Sequence, residues 1–305
     1  MTVIEHTGSE VADDAPRELD VELLSATIGA VIRGLDLGGA LDDATVAAVR
    51  RIWLERKVVF FPDQQLDADG HLAFASRFGE PTEGHPVIPG IDGHPQVFEI
   101  DYTASRKLYA AYGDVSTANR GVSWHTDVTF VARPPLGSIL RAVVVPPSGG
   151  DTLWSDQQAA YEALSPALRG FLEGLTATHD GRTQFQGVLD HVGEGRWEGD
   201  AFTSLDPVVH PVVVTHPETG ARALFVNPGF TSHINELSLQ ESDNLLSFLY
   251  AHSVRPEFTV RYHWGQGDIG FWDNRVTQHS VVGDFREQHR VIQRVTLRGT
   301  EPLGV

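Results

Sequence analysis

The sequence predicts a mostly β protein, with flanking helices packed outside a closed or sandwiched core such as a jelly roll. Three observations predict it. Short apolar runs of strand length, rich in Val, Ile, Phe and Trp, recur along most of the chain. Helical periodicity is confined to a few segments. Strands and helices do not alternate as βαβ units, which argues against a doubly wound parallel sheet.

Residues 1–20 are polar and acid-rich with no apolar period, and read as a disordered tail ahead of a single domain spanning 21–305. Val21 to Leu37 holds two short strands and a turn, punctuated by Gly29 and Gly34. Asp42 and Asp43 open a helix on which Val46, Val49, Ile52 and Trp53 recur at helical spacing. Lys57 to Phe61 is a buried strand ended by Pro62, and Leu72 to Phe78 a second helix stopped by Gly79. Gln96 to Ile100 reads as a strand. The irregular stretch from Asp101 to Val122, just ahead of a polar motif, reads as a lid.

Val128, Thr129 and Phe130 favour extended backbone, so the motif Trp124-His-Thr-Asp127 is expected on a strand. Ser138 to Val145 is a buried strand, and Ser148 to Trp154 a glycine turn into another. Gln158 to Leu175 forms two helices broken at Leu164-Ser165-Pro166. Gly187 to Leu205 is a polar surface excursion. Val208–Val214 and Ala223–Val226 bracket the turn His216-Pro-Glu-Thr-Gly220 as a hairpin. Ser238 caps a helix to His252, with Glu241 completing a capping box. Thr259–Trp264, Asp268–Trp272 and Val291–Leu297 are the last strands.

Composition narrows the function. The chain has no cysteine, which excludes disulfides and thiolate metal sites; a bound metal must use His, Asp or Glu, and there are 14 histidines. A formal charge of −18 makes a poor nucleic-acid binder, and an anionic small molecule would need locally concentrated arginine. No apolar run reaches membrane-spanning length and no charged-then-apolar leader opens the chain, so a cytoplasmic location is expected, without membrane partners.

Side chains at i and i+2 of a strand share a face, so His125 and Asp127 would project together into one cavity. An imidazole and a carboxylate so placed are two-thirds of the two-His-one-carboxylate triad that holds Fe(II) with positions left open. A second cluster lies far downstream, Trp272-Asp-Asn-Arg-Val-Thr-Gln-His279, followed by Arg290 and Arg294.

These stretches, with Gly149-Gly-Asp-Thr-Leu-Trp154, Phe225-Val-Asn-Pro-Gly-Phe-Thr231 and His289-Arg-Val-Ile-Gln-Arg-Val-Thr296, resemble the Fe(II)/2-oxoglutarate dioxygenases of the taurine dioxygenase family, which includes alkylsulfatases and aryloxyalkanoate dioxygenases. The resemblance runs from about Val21 to Leu297 and implies a double-stranded β-helix and a homo-oligomer. It implies His125, Asp127 and His279 as iron ligands, with Arg290 and Thr152 binding the distal carboxylate of 2-oxoglutarate. Arg294 and His85 would contact the substrate anion, with Phe185 and Phe230 as pocket walls. O2 is the third reactant. The implied substrate is a small sulfonate such as taurine, hydroxylated to release sulfite and an aldehyde, with succinate and CO2 as co-products. Alkyl sulfate esters and aryloxyalkanoates are alternatives within the class, and a non-catalytic jelly-roll binding protein is the alternative outside it. Three departures bear on the substrate: Ile88 where the taurine enzymes have tyrosine, Gly121 where they have asparagine, and a longer stretch from Ile91 to Val122.

Overall fold

The computed structural model describes residues 18–86, 88, 90–102, 124–182, 184–185, 205–285 and 287–305. The expected acidic tail, the lid and the 187–205 excursion lie almost wholly outside the described residues, as does Gly121.

The largest sheet has eight strands: β1 (Asp20–Leu23), β2 (Ala30–Arg33), β3 (Val58–Phe61), β4 (Gly90–Ile91), β5 (His94–Asp101), β6 (Gly137–Val144), β14 (Ile269–Asp273) and β16 (Val291–Leu297). Their order is β1-β2-β3-β14-β6-β16-β5-β4. Neighbours pair antiparallel except β2 and β3, which are parallel. Helix α1 (Asp43–Arg56) makes that crossover, so one βαβ unit exists that the strand census did not foresee. Asp42 caps α1 by accepting from Thr45 N–H. At its other end Lys57 takes φ 63°, turning the chain directly into β3.

Three smaller sheets complete the β structure. The first holds β7 (Thr152–Asp156) between β13 (Thr259–Tyr262) and β15 (Thr277–Val281). In the second, β8 (Thr176–His179) lies between β9 (Val208–Pro211) and β12 (Thr231–Ile234). In the third, β10 (Val213–Thr215) lies between β11 (Arg222–Leu224) and β17 (Leu303–Gly304). The segment expected as one strand from Val208 to Val214 therefore splits at Val212 between two sheets, while the β10–β11 hairpin forms as expected.

Apolar side chains pack on both faces of the large sheet. One face meets α1 and α2 (Ala68–Ser76), with Trp53 stacked on Phe271 at 4.3 Å. The other packs Phe60, Leu140, Trp272 and Ile292 against Trp154, Val260 and Trp264 of the β13-β7-β15 side. Burial on both faces explains why β3 and most of β14 read as continuous apolar runs rather than alternating ones, while β16 buries Gln293, Arg294 and Thr296 among its apolar residues. A separate core gathers α3 (Gln157–Glu162), α4 (Pro166–Leu172) and α5 (Leu239–Ser253) around the smaller sheets. Pro166 sits in the first turn of α4 and Ser238–Glu241 forms the expected capping box. Among the described residues no helix is long and apolar enough to cross a membrane.

Helix α2 starts earlier than its apolar spacing suggested, because Asp67 caps it by accepting from Gly70 N–H. The early turn buries His71 completely. Its Nε2–H donates to the Ile139 carbonyl at 3.0 Å, and Nδ1 has no hydrogen-bond partner. Burial, the largest influence, pushes this imidazole down to about 4 from an ordinary 6.5. Between those values the unfolded chain binds a proton that the folded chain does not, so stability falls as pH drops through that window. His71→Gln keeps a donor and removes the titration. The slope of unfolding free energy against pH, from denaturant titrations between pH 4 and 6.5, should flatten by up to about 1.4 kcal/mol per pH unit. An unchanged slope would contradict a buried neutral His71.

Candidate metal centre

Two backbone hydrogen bonds build the site. His125 N–H donates to the His279 carbonyl at 3.0 Å and His279 N–H to the His125 carbonyl at 2.8 Å. Residues that exchange both bonds across an antiparallel pair project their side chains to the same side, and the two imidazoles lie with centroids 4.3 Å apart. His279 is held by β15, paired with Trp154 of β7.

The expected strand through Asp127 does not form. His125 makes an isolated bridge and residues 127–130 form a turn. Val128 sits at φ 55°, a strained conformation for a β-branched residue. The turn, rather than strand alternation, brings Asp127 to the imidazoles. Its supports are polar and buried. Thr126 Oγ1 donates to the Thr277 carbonyl at 2.7 Å. Asn227 Nδ2 donates to Thr129 Oγ1 at 3.1 Å, and His210 Nε2 donates to the carbonyls of Thr129 and Val131. The sequence assigns no site role to Thr129 or Asn227, although both fall in the motif stretches, nor to His210; a buried hydroxyl, amide and imidazole far apart in the chain carry no spacing signal.

Asp127 Oδ1 lies 3.9 Å from His125 Nε2 and 3.6 Å from His279 Nε2, and the three ligand atoms all lie within 4.8 Å of one another. Burial by itself would raise the Asp127 carboxyl; Arg294 foremost, then both imidazoles and the Ser138 hydroxyl, outweigh it and hold the group well below the ordinary carboxylate range. Burial holds His279 well below the ordinary imidazole range, against the opposing pull of Asp127. An ionised carboxylate and a neutral imidazole are the protonation states a divalent metal needs. Both ring nitrogens of His279 are buried without a hydrogen-bond partner. Such orphaned atoms are costly, and a metal ion fits the donor set of one hard oxygen and two imidazoles.

Arg294, expected at the substrate anion, donates from Nη1 to Asp127 Oδ1 at 2.5 Å, while its Nε is buried without a partner. Its guanidinium lies over the Trp272 and Phe98 rings at 5.1 and 5.6 Å. Arg290 precedes it by four residues and is 1% exposed. The Arg290 guanidinium lies 4.8 Å from the Tyr102 ring and 5.8 Å from that of Phe285, yet Nη1 and Nη2 make no hydrogen bond among the described residues. A buried fork of unpaired donors is a built site for a carboxylate. Gly150 keeps it open: a Cβ there would stand 3.2 Å from Arg290 Cδ. Two residues on, Thr152 Oγ1 accepts from Trp264 Nε1 at 3.0 Å, which leaves its hydroxyl hydrogen to donate.

Phe185 and Phe230 are buried with Val128, Phe130, Val131 and Leu205 in one apolar wall, and Phe230 meets the His125 ring edge-on at 6.1 Å. His85 packs on Phe185 and Phe98. Desolvation pushes its imidazole down to about 3, so at neutral pH it is uncharged. Its Nδ1 accepts from Ile88 N–H at 3.1 Å, which assigns the remaining proton to Nε2. The structure thus gathers His125, Asp127, His279, Arg294, His85, Phe185 and Phe230 at one site. Arg290 and Thr152 flank the glycine turn beside it.

A β-rich fold with a His-Asp-His cluster and a buried unpaired arginine defines a metal-dependent enzyme equipped to hold a carboxylate. The chain belongs to the family described as taurine catabolism dioxygenase TauD, TfdA family, which it matches over residues 20–296. It is similar to an alpha-ketoglutarate-dependent sulfate ester dioxygenase of Pseudomonas putida, at 41% identity over 292 residues, covering 94% of this chain and 92% of the relative. An alkylsulfatase of Acinetobacter baylyi is 39% identical, over 94% of this chain and 87% of its own. Among solved structures, a taurine dioxygenase from Burkholderia xenovorans superposes with a TM-score of 0.77 at 41% identity, over 94% of this chain and 93% of that one.

Asp127→Ala and His279→Ala should each lose most of the affinity for Fe(II) in anaerobic calorimetry while keeping the far-UV spectrum of the parent. Retained stoichiometric binding in both variants would show that the ion sits elsewhere.

Proposed function

We propose that this chain is an Fe(II)- and 2-oxoglutarate-dependent dioxygenase that hydroxylates a small organic anion carrying a sulfonate or sulfate head. The observation that carries the reading is the buried, unpaired Arg290 guanidinium on the same chain segment as the arginine that contacts the His-Asp-His cluster. A non-catalytic binding module would have no use for a second, separate carboxylate clamp.

His125, Asp127 and His279 would hold the iron, within a double-stranded β-helix built from the large sheet and the β13-β7-β15 sheet of one domain spanning 21–305. Bound there, Fe(II) with O2 supplies the oxidative decarboxylation of 2-oxoglutarate to succinate and CO2 and the insertion of the second oxygen atom into a substrate C–H bond. The chain's own residues bind and orient. Arg290 and the Thr152 hydroxyl take the distal carboxylate of 2-oxoglutarate. His85 Nε2–H and Arg294 donate to the substrate head, and Phe185 and Phe230 line the path of its carbon tail and keep water from it. Hydroxylation at the carbon bearing a sulfonate yields an adduct that collapses to an aldehyde and sulfite. From a sulfate ester the second product is sulfate.

Taurine fits the head-group chemistry. The apolar wall also accommodates more apolar tails, and the names of the Pseudomonas and Acinetobacter relatives support sulfate esters within the same anion pocket. A cytoplasmic homo-oligomer is the assembly we propose.

Arg290→Ala should raise the apparent KM for 2-oxoglutarate by roughly ten- to a hundred-fold, the loss of a charge-assisted hydrogen bond of about 1.5–3 kcal/mol. An unchanged KM would assign that carboxylate to another residue. Succinate release, with coupled sulfite or sulfate, should be faster on taurine, a longer alkanesulfonate or an alkyl sulfate than on an uncharged isostere, and Arg294→Ala should erase the preference. Equal rates on the uncharged compound would contradict the anion pocket.

A further inference from the structure

A chain of buried hydrogen bonds runs into Asp127 Oδ2, the partner of the oxygen that lies 3.9 and 3.6 Å from the two imidazoles. Ser138 Oγ donates to Asp127 Oδ2 at 2.6 Å. Asn274 Nδ2 donates to Ser138 Oγ at 2.8 Å, and Trp272 Nε1 donates to Asn274 Oδ1 at 2.9 Å. Ser138, Asn274 and Trp272 are each at most 1% exposed.

The direction of this chain is fixed at its far end. An indole N–H can only donate, so Asn274 Oδ1 must accept and Asn274 must present its NH2 to Ser138. The Ser138 oxygen is then an acceptor toward Asn274, and its own hydrogen is directed to Asp127. The carboxylate is therefore addressed as an anion on Oδ2, while Oδ1, which also accepts from Arg294 Nη1, is the atom nearest both imidazoles.

The parts sit on rigid elements. Ser138 on β6 is directly opposite Trp272 on β14. Asn274 begins the turn between β14 and β15, its N–H bonded to the Leu136 carbonyl at 3.1 Å, and β15 carries His279. Trp272 also packs on the His279 ring with centroids 4.9 Å apart. The continuous segment β14–turn–β15, which passes from the large sheet to the β13-β7-β15 sheet, thus supplies a histidine of the cluster and orients its carboxylate.

We propose that Trp272, Asn274 and Ser138 act in series as positioning residues that lock the Asp127 carboxylate so that it offers Oδ1 alone to the metal. This rests on the reading of the cluster as a metal centre. A single-oxygen carboxylate ligand keeps coordination positions open for the cosubstrate and O2; a carboxylate free to rotate could close onto the ion through both oxygens.

Binding of Co(II) alone, followed by calorimetry and by its visible d–d absorption, tests this in the full-length protein. Ser138→Ala, Asn274→Ala and Trp272→Phe should each weaken Co(II) binding, by about ten- to a hundred-fold, and alter the cobalt spectrum. Asn274→Asp should do the same, because an aspartate accepts from Ser138 and turns its hydrogen away from Asp127. Groups acting in series are not additive, so Ser138→Ala/Asn274→Ala should bind no worse than Ser138→Ala. Ser138→Ala only deletes a buried hydroxyl, and its thermal midpoint without metal monitors the fold. Parental cobalt affinity and spectrum in folded Ser138→Ala, or additive losses in the double variant, would overturn the relay. Failure of the parent protein to bind cobalt would instead overturn the metal-centre reading.

Discussion

The site depends on one antiparallel residue pair. The reciprocal backbone hydrogen bonds between His125 and His279 place two imidazoles side by side from segments far apart in the chain. Neither segment could do this alone. His279 is held by β15, whose other edge is paired to β7, and β7 carries Thr152 at its start. The bridge therefore ties the ligand pair, the glycine turn and the Arg290 pocket to one framework. Beyond His125 the chain leaves that ladder for the turn over residues 127–130, and Asp127 at the start of that turn meets the pair.

Electrostatics follows from burial. A carboxylate placed at 4% exposure would be driven toward its neutral form unless cations and donors faced it. Asp127 has Arg294 on one oxygen and Ser138 on the other. Arg290 is the converse, a buried cation lying over the Tyr102 and Phe285 rings, whose Nη1 and Nη2 make no hydrogen bond among the described residues. In a chain of net charge −18, Arg290 at the entry to β16 makes a local positive site against the overall field, while Arg294 four residues on faces the Asp127 carboxylate. Under the proposed function, Arg290 takes the distal carboxylate of the cosubstrate and Arg294 the substrate head.

The large sheet was legible because its strands are apolar on both faces. Val58–Phe61 and Ile269–Trp272 announce themselves as continuous runs, and Val291–Leu297 as a strand-length segment with four apolar residues. The strands built from Thr, His, Ser and Gln were not legible: Thr176–His179, Thr231–Ile234 and Thr277–Val281 have little apolar content, and their burial comes from tertiary packing. The cluster was legible through His125 and Asp127, although by the wrong local geometry. Spacing implied a strand where the chain makes a bridge and a turn, and the outcome agreed only because the turn has its own supports in Thr129, Asn227 and His210. The neutral state of His85 could not be read from sequence, since it follows from desolvation against Phe98 and Phe185.

The central claim is that one ion and one 2-oxo acid meet at the His125–Asp127–His279 cluster with Arg290 as the distal clamp. Anaerobic visible spectroscopy of the protein with Fe(II) and 2-oxoglutarate tests it most directly. The account predicts a metal-to-ligand charge-transfer band that requires both components, disappears in Asp127→Ala, and needs a higher 2-oxoglutarate concentration in Arg290→Ala. Absence of the band in the parent protein, or its undiminished presence in Asp127→Ala, would contradict it.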